Sequence, residues 1–197
     1  MRKILSDCDG VLLDWNSSFE KWAKFHFGME VADRTTYSIK DRFPGGDHQQ
    51  YLDYDHAMYL PRIFCNSSRM ATLKPMRDAV LYTKKLYEEF GTTIDVITSY
   101  SLDPESIKLR ESNLRTVFGP CIDRIICIDT GISKKVALEE WRDSGLMWVE
   151  DKTSNVIRGT KMGLDSVVFD QPYNRDYQGE APRVKNWKEI YEIVAGV

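Results

Sequence analysis

Short apolar runs alternate along the chain with longer stretches whose apolar residues recur every three or four positions. Ile4–Leu5, Ile94–Thr98, Ile125–Ile128, Met147–Val149 and Ser166–Phe169 are rich in Ile and Val and bounded by polar residues, and they predict strands. Between them lie helical patterns. Pro75 to Phe90 sets Ala79, Thr83, Leu86, Tyr87 and Phe90 on one face and stops at Gly91, a residue that commonly closes helices. Pro104 to Phe118, Ser133 to Trp141, Ser154 to Met162 and Trp187 to Val194 repeat the pattern. Strands alternating with helices predict right-handed βαβ crossovers, hence an α/β, Rossmann-like fold whose parallel sheet is covered by helices on both faces.

One region breaks the alternation. Residues 15–73 are rich in aromatics and poor in strand patterns, with a helix predicted at Ser17–Phe27, closed by Gly28, and a Pro44-Gly45-Gly46 turn dividing the stretch. The division is therefore a core domain of residues 1–14 and 74–197 and a small, mainly helical cap of residues 15–73 inserted after the first strand. In open α/β sheets ligands bind at the carboxyl ends of the strands. An insertion leaving from such an end would lie over the site as a lid.

A chain of 197 residues suffices for one domain with a sizeable core and a small insertion. Its 27 Lys and Arg against 30 Asp and Glu give a net charge of −3, so the basic surface expected of a protein that binds long nucleic acid is missing. A small anion held by one metal and one lysine needs no such excess. The 4 cysteines, at positions 8, 65, 121 and 127, form no CxxC pair, and the histidines do not cluster. That spacing suits neither a zinc site nor a disulfide framework. The beginning, MRKILSDCDG, lacks the apolar core of a signal peptide, and no apolar run approaches the roughly 20 residues of a membrane helix. These features predict a cytoplasmic protein without membrane contact; oligomeric state is not legible.

The candidate chemistry gathers where strands end. Asp7 and Asp9 follow the first strand in SDCDGVLLDW, with Gly10 allowing a sharp turn. Two carboxylates so placed can share a divalent cation, and Mg²⁺ prefers such oxygen ligands. Thr98 ends the second strand, IDVIT; Lys134 opens a helix in GISKKVALEEW; Glu150 and Asp151 end MWVED. Taken singly, each has an ordinary explanation: an acidic turn, a helix cap, a solvated lysine, a pair of capping acids. The whole set, in this order and each at a strand end or helix start, is hard to obtain by chance.

SDCDGVLLD, VITS, SKK and MWVED resemble the four ordered motifs of the haloacid dehalogenase (HAD) superfamily, over essentially the whole chain. The first motif is the most specific and the lysine motif the least. The resemblance implies a phosphomonoesterase with Mg²⁺ as cofactor. Asp7 would attack phosphorus, and Asp9 would protonate the leaving oxygen and then activate water. Thr98, Ser99 and Lys134 would hold the phosphate, and the metal would be held by Asp7, Asp151 and the backbone carbonyl of Asp9. Lys134 is preferred over its neighbour Lys135 because Leu138 lies four residues after it, as in many members. The second acid, Asp9, is missing from dehalogenase-like members, so carbon–halogen cleavage is not expected.

Within the superfamily the chain is most similar to the 5′(3′)-deoxyribonucleotidases, through DCDGVLLDW, LKPMRDAVLYTKKLY, VITS, VFGPCIDRIICI and the late PYN…RVKNWKEIYEIV. Two features depart from them: the full helix predicted across 133–145, and most of the cap. Trp15 stands where that family places an aromatic against the nucleotide base, which implies a substrate-binding role. Its spacing with Phe19 and Trp22 also fits a stripe of core residues. The implied partner is a small phosphorylated substrate, a nucleoside monophosphate first, with another phosphomonoester or a DNA 3′-phosphate end as alternatives. A binding protein that has lost catalysis is the competing class, and the retained acids argue against it.

Overall fold

The computed structural model describes residues 2–43 and 54–197. Six parallel strands form one sheet: β1 (Lys3–Ser6), β2 (Thr93–Tyr100), β3 (Ile122–Asp129), β4 (Met147–Glu150), β5 (Asp165–Phe169) and β6 (Arg183–Val184). Their spatial order is β3-β2-β1-β4-β5-β6. The order reverses beside β1, so the crevice between the ends of β1 and β4 is the position where such sheets bind ligands.

The sheet is apolar on both faces, as a parallel sheet between helices must be. Ile4, Val96, Val149 and Val167 pack on one side with Leu86 of α4 (Ala79–Phe90), Leu114 of α5 (Pro104–Phe118) and Trp187 of α8 (Trp187–Ala195). Their neighbours Leu5, Ile97 and Trp148 face the other side, against Leu138 of α6 (Lys135–Leu138) and Met162, which follows α7 (Thr153–Lys161). Adjacent residues of one strand thus serve opposite layers.

Between β1 and α4 lie α1 (Trp15–Phe27), α2 (Ile39–Arg42) and α3 (Tyr54–Cys65). Phe19, Trp22, Phe43, Phe64 and Met70 from this segment join the same apolar cluster as Ile4 and Val149. The Pro44-Gly45-Gly46 turn lies outside the described residues.

Several elements differ from the sequence pattern. β6 was not foreseen, because two residues are too few for a period to register. β2 runs on to Tyr100, so Thr98 lies inside the strand and not at its end. The helix expected from Pro75 begins only at Ala79, because the Met76 amide donates to the Leu12 carbonyl (2.9 Å) and Pro75 bridges to Leu13. The full helix expected over 133–145 is one α-turn followed by a 3₁₀ turn, Glu139–Trp141. Leu138 and Trp141, three residues apart, both turn inward, a spacing that suits 3₁₀ geometry. With no full helix over 133–145, that segment gives no departure from the deoxyribonucleotidases.

Candidate active site

The loop after β1 is fixed from several directions. The Asp7 amide donates to the Val149 carbonyl of β4 (2.8 Å), and the amides of Leu12 and Leu13 both donate to the Cys8 carbonyl (2.9 Å each). From α8, the Trp187 indole donates to the Val11 carbonyl (2.8 Å). Gly10 has φ +81°, and a Cβ there would lie 2.5 Å from Asp151 Oδ2. Only glycine permits both the turn and the approach of the two strand ends. Asp14 caps α1 by accepting from the Ser17 amide (3.1 Å), and Asp170 pairs with Arg183 (2.8 Å), which accounts for both acids structurally.

Asp7, Glu150 and Asp151 bring carboxylate oxygens within 4.8 Å of one another, all three residues buried. Lys134, 2% exposed, reaches Asp7 Oδ1 at 2.7 Å and Glu150 Oε2 at 2.9 Å, whereas Lys135 points to solvent. The Asp7 oxygen also accepts from the Cys8 amide (2.6 Å). Burial and the Glu150 charge push the Asp7 carboxyl up to about 7, against the pull of Lys134. Asp151 is pushed up to about 6 by burial and by Asp7. One lysine does not neutralise this concentration of acid.

The three acids are not equivalent as metal ligands. Glu150 accepts from the Lys152 amide (2.9 Å), the Asn155 amide group (3.0 Å) and Lys134, so its oxygens are occupied. Its chemistry is to hold Lys134. Asp7 and Asp151, which line the cavity, remain as the pair that fits a hard divalent cation. The Asp9 carboxylate is not among the three grouped acids: both its oxygens accept from Arg110, at 2.6 and 2.9 Å.

Thr98 is wholly buried, and its hydroxyl has no partner, while Ser99 beside it lines the cavity. The cavity, about 590 Å³, also receives Asp9, Trp15, Tyr37, Lys40 and Tyr173. Its size suits a small organic ligand. Trp15 is partly buried, its ring stacked on Phe19 (4.7 Å between centroids) with Phe64 edge-on at 5.4 Å. It is thus both packing residue and cavity wall.

Sequence reasoning left out the loop after β5 as chemistry. There Tyr173 donates to Asp151, Asn174 donates to the Asp151 carbonyl (2.7 Å), and Gln171 donates to the Gly10 carbonyl (2.6 Å). One short segment, QPYN, therefore orients both halves of the acidic site. Arg110 was also missed.

Residues 2–197 match the family described as 5′ nucleotidase, deoxy (pyrimidine), cytosolic type C protein. No curated protein matches the chain significantly. Among solved structures, the L-2-haloacid dehalogenase of Xanthobacter autotrophicus with chloropropionic acid covalently bound is 12% identical, with 100% of this chain and 99% of that one covered and a TM-score of 0.65. The D,D-heptose 1,7-bisphosphate phosphatase of B. bronchiseptica, complexed with magnesium and phosphate, is 12% identical over 100% and 99%, with a TM-score of 0.61. A haloacid dehalogenase-like family protein of Streptococcus pneumoniae is 12% identical over 98% of each chain, with a TM-score of 0.63. At such identities these likenesses establish the fold, that of HAD hydrolases, and nothing finer.

Proposed function

The chain belongs to the 5′ nucleotidase, deoxy (pyrimidine), cytosolic type C family, and from that premise we propose a magnesium-dependent phosphomonoesterase that acts on (deoxy)nucleoside monophosphates through an aspartyl phosphate on Asp7. The observation that carries the reading is the contact of Asp7 with Lys134 at the reversal point of the sheet, beside Asp151 and below a cavity of nucleotide size. The described helices of residues 15–73 serve as the cap over a core of 1–14 and 74–197. The free cysteines suit a cytoplasmic setting.

Asp7 is the nucleophile, and Lys134 holds its Oδ1 while leaving the second oxygen for phosphorus. The unpaired Thr98 hydroxyl, the Ser99 hydroxyl and Lys134 supply donors and charge to the phosphoryl oxygens. Phosphoryl transfer needs this positioning and neutralisation above all. Asp9 protonates the leaving oxygen and later deprotonates the attacking water. Mg²⁺, held by Asp7, Asp151 and the Asp9 carbonyl, would neutralise charge on the phosphoryl oxygens. The direct test is phosphate release from a panel of monoesters with and without Mg²⁺. Release from nucleoside monophosphates that depends on Mg²⁺ is expected; a panel without turnover would leave the retired-fold class standing.

The acid pair makes the metal visible without turnover. Folded Asp7 and Asp151 keep protons that the unfolded chain has already released between about pH 4 and about pH 7. The metal-free fold therefore loses stability as pH rises through that window. A cation bound only by the folded state competes with those protons and restores the loss. Millimolar Mg²⁺ should raise Tm clearly at pH 7.5 and little at pH 5, measured by thermal melts. Equal shifts at both pH values would remove Asp7 and Asp151 as the ligands.

Trp15 tests the substrate class. A base stacked on its ring would contribute about 1–3 kcal/mol, so Trp15→Ala should cost about 5- to 150-fold in kcat/KM on a nucleotide. A sugar phosphate should lose far less. Equal losses on both would make Trp15 a packing residue of the Phe19–Phe64 cluster.

A further inference from the structure

The reading above gives Asp9 a proton to deliver, yet within its own loop nothing holds the Asp9 side chain. The holding group comes from α5. Arg110 is fully buried, with Nη1 2.6 Å and Nη2 2.9 Å from the two Asp9 oxygens. The guanidinium lies over the Tyr100 ring, 4.5 Å from its centroid, and Nη1 is 3.0 Å from the Cys8 thiol. The Tyr100 hydroxyl donates to the Cys65 carbonyl at 2.6 Å, which ties the clamp to the end of α3. A guanidinium buried to this depth is a poor device for stability, because desolvation offsets the attraction and apolar side chains of equal volume serve as well. What the pair does supply is direction: the planar fork matches a carboxylate and fixes both oxygens at once. Asp9 keeps 23% of its side chain exposed, on the cavity that Asp7 also lines.

We propose that Arg110 is a positioning residue of the phosphatase reaction, holding the Asp9 carboxyl in the orientation from which it serves the leaving oxygen. In that step the bond from phosphorus to the leaving oxygen breaks as the bond from phosphorus to Asp7 forms. The leaving oxygen takes the proton of Asp9, and the Asp9 carboxylate recovers one from the water that later attacks phosphorus. The proposal rests on Asp9 as the general acid, and the experiment separates the two.

The variants are Arg110→Lys, Arg110→Met and Asp9→Asn, assayed as kcat/KM on thymidine 5′-monophosphate and on p-nitrophenyl phosphate. This constant covers steps only as far as the first phosphorus–oxygen cleavage. An alkoxide needs a proton to leave, and p-nitrophenolate does not. Asp9→Asn should lose about 10²–10⁴-fold on the nucleotide and less than about tenfold on the aryl ester. Arg110→Lys retains the buried charge and most of the volume, so the fold persists while the fork is lost. It should show the same imbalance, with a loss at least about tenfold greater on the nucleotide. Arg110→Met, where it folds, should be at least as unbalanced. In the Asp9→Asn background Arg110→Lys should cost nothing more. Equal losses on both esters for Arg110→Lys, with Asp9→Asn unbalanced, would overturn the proposal and leave Arg110 a packing residue. Equal losses for Asp9→Asn itself would instead overturn Asp9 as the acid.

Discussion

Asp7→Asn is expected to abolish turnover, by at least about 10⁴-fold, while leaving the fold intact or slightly more stable. An amide cannot form the acyl phosphate, so the first covalent step has no acceptor. The side chain keeps its volume and an Oδ1 that can still accept from the Cys8 amide and Lys134, at 2.6 and 2.7 Å in the parent. Burial and Glu150 hold the parent carboxyl near 7, so above that pH the fold carries an ionised acid it disfavours. A neutral amide removes that cost, which offsets the weaker attraction to Lys134. Without metal, at pH 8, Tm of the variant should equal or exceed that of the parent. With Mg²⁺ the order should reverse, because the amide is a poorer ligand for a hard cation. The measurements are phosphate release and thermal melts with and without the ion. Folded Asn variant that still turned over near the parental rate would remove Asp7 as the nucleophile.

What the sequence makes legible here follows from how far each signal extends along the chain. Strands buried on both faces read as continuous apolar runs, so β2, β4 and β5 were visible, and their order with the helices implied the parallel sheet. Boundaries were less so. β2 extends to Tyr100 because it goes on pairing with β3, Ser99 with Ile128 and Tyr100 with Asp129, partners 29 positions apart that no local pattern carries. The 133–145 segment looked helical because Ala137, Leu138 and Trp141 fall at helical spacing, and all three do pack on one cluster. That spacing does not distinguish one long helix from an α-turn followed by a 3₁₀ turn.

The acids of the site were legible because sharp turns at strand ends leave compact motifs. Their supports were not. The buried face of α5 begins with Ser106, Arg110 and Asn113, so its inward stripe is polar and resembles a solvated face until the partner acid is located. Tyr173 and Gln171 sit in QPYN, which signals a turn but not that the turn lies against residues 7–10, more than 160 positions away. Glu150 was visible as half of an acidic pair. Its role depends on which neighbour reaches Lys134, and that is a matter of side-chain direction at the end of β4.

Lys134→Met carries the second large expectation, because it acts on stability and chemistry together. The ammonium is the cation between Asp7 and Glu150, at 2.7 and 2.9 Å, with the Trp148 ring 5.3 Å away. Removing one partner of a buried ionic cluster costs about 3–5 kcal/mol, since the remaining charges stay buried and uncompensated. The direction with pH follows from the groups left behind. The lysine, raised above its ordinary value, is charged in both folded and unfolded states from pH 5 to pH 8, so its own titration adds no slope there. Asp7 and Glu150, already pushed upward by burial, rise further without it and refold only by taking up protons. The variant should therefore be far less stable than the parent at pH 8 and much closer to it at pH 5, as read from urea unfolding at both. Turnover at pH 5 to 6, where the variant is folded, should still be lower by about 10²–10³-fold, the usual effect of deleting a charge that neutralises a transition state. A stability loss that did not depend on pH would mean that Lys134 contributes packing against Trp148 and not charge to Asp7.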